Sequence, residues 1–171
     1  MDKIGLFYGT VSSATRYVAE MIKSEFGADR VDVINMANAK PTDVAKYDRL
    51  IIGAPTWDSD TVETDLRKFL AALENLDLTG KQVALFGLGD QKLYPGKFLD
   101  TMGKIYQKVQ QRGARVIGRW PTEGYKFKKS KAVDGHSFVG LALDEDNQSQ
   151  YTIDRVELWV EILRLTFDKE R

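Results

Sequence analysis

The chain has 171 residues, of which 43% are hydrophobic and 29% charged, and its 25 basic residues balance its 25 acidic ones. We expect one domain over residues 1–171. The balanced charge gives no basic surface for nucleic acid, and no apolar run approaches the roughly 18 residues that span a bilayer. Because the chain has no cysteine, disulfides, thiolate nucleophiles and iron–sulfur clusters are excluded. The N-terminus lacks a secretory signal pattern, which predicts a cytoplasmic protein.

Five apolar segments alternate with helical patterns and predict an α/β fold with a parallel sheet. The predicted strands cover residues 3–8, 31–35, 49–54, 82–87, and 115–119 continuing at 137–143. Right-handed crossovers would make the sheet doubly wound, and such sheets bind ligands beyond the carboxyl ends of their strands. Functional residues are therefore expected in the loops that follow the strands.

A polar segment at about residues 120–138 interrupts the fifth strand. From Trp120 to His136 it reads WPTEGYKFKKSKAVDGH, with no helical or strand periodicity long enough to form an element of its own. We interpret it as an inserted loop. His136 is the only histidine of the chain, so a histidine metal site or a Ser-His-Asp triad has little support, and a surface position is expected.

The loop after the first strand is suited to a phosphate group. The sequence IGLFYGTVSSAT from Ile4 to Thr15 leads from a buried strand into a helix, and Thr10, Ser12 and Thr15 offer three hydroxyl donors. Backbone N–H groups at a helix N-terminus attract an anion. The loop contains no lysine, which argues against a nucleotide-hydrolysing P-loop and for a phosphate that is simply held. An ordinary N-capped βα unit is the alternative.

Two further loops carry aromatic side chains. The third strand is followed by GAPTWDSDT with Trp57, and the fourth by GLGDQKLYPGKF with Tyr94. Gly87 and Gly89 permit close approach to the backbone. Two aromatic rings and a phosphate loop would thus meet at one edge of the sheet.

Together with FVGLALDEDNQ at residues 138–148, these motifs resemble a long-chain flavodoxin over nearly the whole chain. The resemblance, rather than the periodicity, supplies the strand order 2-1-3-4-5, for which flavodoxin is the type example, with FMN at the switch point. It implies a low-potential carrier of single electrons, not an enzyme, with no metal site. It also implies a monomer that exchanges electrons with a flavodoxin or ferredoxin reductase and an electron-accepting enzyme.

The resemblance assigns a role to each loop. The FMN phosphate would lie against Thr10, Val11, Ser12, Ser13, Ala14 and Thr15. Thr56 and Trp57 would cover one face of the ring and Tyr94 the other, with Gly87, Leu88, Gly89 and Asp90 along the pyrimidine edge. The peptide between Asp58 and Ser59 would turn over on one-electron reduction, and Asp90 and Asp146 would disfavour added negative charge. The spacing of Asp144, Glu145 and Asp146 does not match a calcium-binding loop, and we interpret them as a solvated turn beside the flavin site.

The chain departs from the family pattern in three places. Ser13-Ala14 stands where Gly-Asn is usual, and DSD follows Trp57 where a glycine is common. The family is usually acidic, whereas here the insertion carries Lys126, Lys128, Lys129 and Lys131, with Lys92 and Lys97 beside Tyr94. We hypothesise that docking to partners differs accordingly.

Two other functions fit parts of the pattern. A flavodoxin-like FMN-dependent NAD(P)H:quinone reductase would need one open flavin face, which Trp57 and Tyr94 argue against. A signalling receiver domain of the same strand order would need acidic residues where Gly9 and Thr10 stand.

Overall fold

A computed structural model describes residues 2–9, 13–54 and 60–169, with the side chains of residues 60–63 excepted. The longer strands are β1 (Ile4–Tyr8), β2 (Val31–Asn35), β3 (Arg49–Ala54) and β4 (Gln82–Leu88), and the shorter ones are β5 (Arg115–Ile117), β6 (Trp120–Pro121), β7 (Val133–Asp134), β8 (Ser137–Phe138) and β9 (Leu141–Leu143). The helices are α1 (Ser13–Phe26), α2 (Pro41–Ala45), α3 (Asp60–Glu74), α4 (Asp100–Gln111), α5 (Glu145–Gln148) and α6 (Thr152–Asp168).

The main sheet has the order β2-β1-β3-β4-β5 with all strands parallel, which confirms the predicted doubly wound α/β fold. The fifth position is filled by two segments. β5 pairs with the first half of β4 at Gln82–Ala84, and β9 pairs with its second half at Phe86–Leu88. The predicted interruption of the fifth strand is therefore confirmed.

Two details of the predicted fifth strand are wrong. Ser137–Phe138 does not continue it but forms β8, the middle strand of a separate antiparallel sheet of order β6-β8-β7. The chain joins β4 only after Gly140, where a Cβ would lie 2.1 Å from the carbonyl oxygen of Leu85. Strands of two residues are too short to show a period of two, so the sequence pattern did not reveal this small sheet.

Helices cover both faces of the main sheet because its central strands are buried on both sides. Phe7 of β1 packs on Phe69 of α3 with ring centroids 5.8 Å apart, and Phe86 of β4 packs on Trp159 of α6 at 6.3 Å. Phe7 is in register with Ile52 of β3, which is in register with Leu85 of β4. Side chains alternate between the two faces along a strand, so Leu85 points to the same face as Phe7, and Phe86 points to the opposite face. α3 and α6 therefore lie on opposite sides.

The segment between β5 and β9 is anchored by aromatic side chains. Phe138 contacts Tyr125 and Phe127 at centroid distances of 5.1 and 5.4 Å. The Tyr125 hydroxyl donates a hydrogen bond to the Ala142 carbonyl at 2.6 Å and accepts one from the Trp120 indole at 2.9 Å. The insertion is thus a packed unit tied to β9.

Within the described part of the chain, no helix is both long and apolar enough to cross a membrane.

Candidate functional site

The carboxyl ends of β1, β3 and β4 meet at the point where the winding of the sheet reverses. β1 is paired with β2 on one side and with β3 on the other. The chain therefore adds β2 on one side of β1, and β3, β4 and β5 on the other side. The N–H of Gly9 donates a hydrogen bond to the Gly53 carbonyl at 3.1 Å, which closes the ends of β1 and β3 together. Ligands of doubly wound sheets bind at such a point.

Several predicted site residues lie outside the described residues. They are Thr10, Val11 and Ser12 after β1, and Thr56, Trp57, Asp58 and Ser59 after β3. The described strands that precede these residues in the chain are β1, which ends at Tyr8, and β3, which ends at Ala54.

The predicted phosphate residues Ser13, Ala14 and Thr15 form the first turn of α1. Ser13 is exposed, Ala14 is half-buried and the Thr15 side chain is buried. The first turn contains no acidic residue. Since the N–H groups of a first turn have no partner within the helix and carry partial positive charge, this end of α1 suits an anion.

A cleft opens at the end of β4, on the same carboxyl edge of the sheet as this turn. It is lined by Ala54 of β3, by residues 87–90, by Tyr94 and Lys97, and by residues 98–102 at the start of α4. Gly89 has no room for a side chain, because a Cβ there would lie 2.8 Å from the Phe98 ring. The small residues place little side chain between the cleft and the backbone, and the half-buried Tyr94 adds an aromatic ring. A planar heterocycle with polar edges fits such walls.

Asp90 shapes the loop that carries Tyr94. Its Oδ1 accepts hydrogen bonds from the N–H groups of Lys92 at 3.0 Å and Leu93 at 2.9 Å, and the Tyr94 N–H donates to the Asp90 carbonyl at 2.9 Å. Burial raises the pKa of Asp90, but the bonds from Leu93, Asn147 and Lys92 outweigh it, so the pKa lies below its usual value. Asp90 thus stays ionised and fixes the turn.

A buried polar network lies behind this loop and was not predicted. The fully buried carboxylate of Asp144 accepts hydrogen bonds from the backbone and side chain of Gln91 and from the backbone and side chain of Asn147. The Asn147 amide also donates to Asp90 at 2.8 Å, and Gln91 accepts a hydrogen bond from the N–H of Lys126 at 2.6 Å. The prediction of a solvated turn at 144–146 is therefore wrong for Asp144.

Asp146 is exposed and lies in α5, two residues after Asp144. Burial first, and then the charges of Asp90, Asp144 and Glu145, raise the pKa of its carboxyl group. The site therefore carries a concentration of negative charge next to the cleft.

His136 is exposed, as predicted.

The flavodoxin family model matches residues 6–159, which is most of the chain. The chain belongs to the flavodoxin family. It is 47% identical to a flavodoxin of Nostoc sp. over 96% of this chain and 97% of that protein. It is 45% identical to a flavodoxin of Synechococcus elongatus over 98% of this chain and 99% of that one.

Among solved structures, a mutant of the Fusobacterium nucleatum flavodoxin, bound to flavin mononucleotide, superposes with a TM-score of 0.90. It is 30% identical and covers 97% of each chain. The family resemblance seen in the sequence is thus confirmed, and with it the function class. This chain is an electron-transfer protein rather than a catalyst.

Proposed function

We propose that this chain binds FMN non-covalently at the carboxyl edge of its sheet and shuttles single electrons between redox proteins at low potential. One observation carries the proposal: the cleft lined by small residues and Tyr94 lies at the same carboxyl edge of the sheet as the acid-free first turn of α1, and the switch point lies on that edge. FMN supplies a planar redox-active ring and a phosphate, which match the two halves of this arrangement.

The phosphate half consists of the loop from Thr10 to Thr15. Ser13, Ala14 and Thr15 contribute the N-terminal turn of α1, and Thr10, Val11 and Ser12 complete the loop. Neutral donors hold a phosphate without driving its transfer, as a permanently bound cofactor requires. An acidic residue in this turn would repel the phosphate, and the described turn has none.

The ring half consists of the loops after β3 and β4. Tyr94 stacks on one face of the ring, and Trp57 with Thr56 covers the other, which excludes water from both. The backbone of Gly87, Leu88, Gly89 and Asp90 hydrogen-bonds the polar edge. The peptide of Asp58 and Ser59 offers its carbonyl to the ring. Asp146 adds negative charge nearby, which opposes the uptake of a further electron.

The proposed setting is that of a carrier between proteins. A flavodoxin or ferredoxin reductase would deliver electrons, and an electron-accepting enzyme would take them. We propose a monomer in the cytoplasm, with one FMN-binding domain over residues 1–171. The single domain agrees with the match of flavodoxins to almost the full chain.

Four measurements on the purified protein test this function. We expect flavin absorbance, one FMN released per chain on denaturation, and two separate one-electron steps in a potentiometric titration. The protein alone should not oxidise NADH or NADPH in the presence of a quinone. Absence of bound flavin would contradict the FMN proposal. Rapid quinone-dependent NAD(P)H oxidation would instead favour an FMN-dependent NAD(P)H:quinone reductase.

A further inference from the structure

The neutral net charge of the chain conceals a strong segregation of charge. Residues 92–131 contain eleven Lys and Arg residues and only two Asp and Glu residues, a formal charge of +9, and the rest of the chain carries −9. The basic region begins directly after the turn formed by Asp90 and Gln91. Six of these cations lie in residues 92–97 and 126–131, near the proposed cofactor site, whereas Lys108, Arg112 and Arg115 lie at the end of α4 and the start of β5.

The fold brings two lysine-bearing segments, residues 92–97 and 126–131, into direct contact. The Pro95 carbonyl accepts hydrogen bonds from the N–H groups of Lys128 at 2.7 Å and Lys129 at 3.0 Å, and the Phe98 N–H donates to the Lys129 carbonyl at 3.2 Å. We call the six exposed lysines of these segments the lysine face: Lys92, Lys97, Lys126, Lys128, Lys129 and Lys131.

Most of the lysine face is not neutralised by the acidic residues near it. In the described ranges, no ion pair involves the four lysines of the insertion. Asp100 accepts the backbone N–H of Lys131 at 2.8 Å, and Asp134 is paired with Arg119 at 2.9 Å. The positive side chains of Lys126, Lys128, Lys129 and Lys131 are thus available to another molecule.

An exposed apolar residue, Leu93, lies on the same loop as two members of the lysine face, Lys92 and Lys97. Leu93 is 66% exposed, which is a large fraction for a leucine, and it lies between Lys92 and Tyr94. The Lys97 ammonium lies 5.0 Å from the centroid of the Tyr94 ring. An exposed apolar residue within a charged rim is the usual composition of a protein interface.

We propose that the lysine face docks an acidic redox protein, with Leu93 in contact and Tyr94 between the partner and the flavin. The proposal rests on the electron-carrier function and specifies the charge of its partner. Opposed charges increase the rate of encounter and orient the partner, and both effects weaken as salt screens them. Such docking would place the partner's redox centre near the ring that Tyr94 covers.

The test compares electron transfer from the photoreduced holoprotein to two one-electron acceptors of opposite charge, an acidic plastocyanin and basic mitochondrial cytochrome c. In stopped flow, the rate constant with plastocyanin should fall at least about threefold between low and physiological salt, whereas the rate constant with cytochrome c should rise or stay unchanged. The variant K126Q/K128Q/K129Q/K131Q should lose most of this dependence and react several-fold more slowly at low salt. A matched control, K3Q/K23Q/K46Q/K169Q, removes the same charge at the edge where the strands begin and should leave the rate nearly unchanged.

Reduction of the neutral acceptor benzoquinone separates this proposal from the carrier function. All variants should reduce benzoquinone at the wild-type rate if bound FMN and its potential are intact. A plastocyanin rate that rises with salt, or one that is unaffected by the insertion variant, would overturn the docking proposal while leaving the carrier function standing. Salt-sensitive dimerisation of the wild type that the insertion variant abolishes would assign the face to a second copy and overturn it as well.

Discussion

Gln91 holds the carboxylate of Asp144 with two hydrogen bonds to the same oxygen, from its backbone N–H at 3.1 Å and from its side-chain amide at 2.8 Å. Asp144 is completely buried, and its other oxygen accepts the N–H of Asn147 at 3.0 Å. Gln91 follows β4 and Asn147 follows β9, so one carboxylate joins the two loops. The position of Tyr94 depends on this junction, because the same loop carries both Gln91 and Tyr94.

The substitution Asp144→Asn should loosen this junction. An asparagine offers one acceptor oxygen and turns an NH2 group toward buried donors, which leaves at least one of them without a partner. We expect a loss of about 1–3 kcal/mol in the free energy of unfolding, and weaker FMN binding. Urea unfolding of the apoprotein and FMN titration measure the two effects. The control Glu157→Gln lies on the exposed side of α6 and should change neither. Equal unfolding midpoints for wild type and Asp144→Asn would contradict the role assigned to this carboxylate.

The contrast between β1 and Asp144 shows which features the sequence could predict. β1, β3 and β4 are largely apolar runs, and β2 combines Val31, Val33 and Ile34 with polar residues, so local pattern was enough to find all four. The burial of Asp144 depends on Gln91, 53 positions away, and nothing in the local sequence DEDN indicates that partner. The small antiparallel sheet was missed because its strands are two residues long. The strand order and the FMN residues followed from the family resemblance, not from periodicity.

Gly103 determines how closely the insertion packs on α4. A Cβ at this position would lie 2.4 Å from the carbonyl group of Lys131. In an open helix position, Gly→Ala would stabilise the protein by about 1 kcal/mol. Here we expect Gly103→Ala to destabilise it by about 1–3 kcal/mol, because a backbone neighbour must move.

The control for this steric effect is Gly96→Ala, since a Cβ at Gly96 meets nothing within 4 Å. Chemical denaturation should give an unfolding midpoint close to wild type for Gly96→Ala and a lower one for Gly103→Ala. A stabilised Gly103→Ala protein would mean that the insertion does not pack on α4 as the structure has it.

Tyr94 should contribute to FMN affinity through its ring rather than its hydroxyl. Tyr94→Ala removes the stacked face and should weaken FMN binding about 10- to 100-fold, whereas Tyr94→Phe should remain within about threefold of wild type. Fluorescence titration of the apoprotein with FMN measures both. Tyr151→Ala removes a 48% exposed tyrosine that does not line the proposed cleft and serves as the control. If Tyr94→Ala bound FMN as tightly as wild type, the ring would not be part of the site.

Asp146 should make the folded protein less stable near neutral pH than it would be with a neutral residue. Its pKa is raised in the folded state, by burial first and then by Asp90, Asp144 and Glu145, so the ionised form is disfavoured there. Asp146→Asn should therefore increase the free energy of unfolding at pH 7. The gain should shrink as pH falls through the folded-state pKa and vanish below the ordinary value of 3.8, where Asp146 is protonated in both states. A gain that persists unchanged at acid pH would show that charge is not its cause.

The same substitution should make the bound flavin easier to reduce. The carboxylates of Asp90, Asp144 and Asp146 oppose the arrival of an electron at the adjacent cleft, and removing one of them lowers this repulsion. We expect Asp146→Asn to raise the midpoint potential of the second electron by on the order of 10–40 mV, with a smaller shift at high salt because Asp146 is exposed. Asp29→Asn makes the same chemical change at an exposed turn before β2, on the opposite edge of the sheet, and should leave the potential unchanged. Potentiometric titration of the three holoproteins at two salt concentrations measures the effect. Equal shifts for both variants would trace it to net charge, whereas a shift confined to Asp146→Asn would place this carboxylate within electrostatic reach of the flavin.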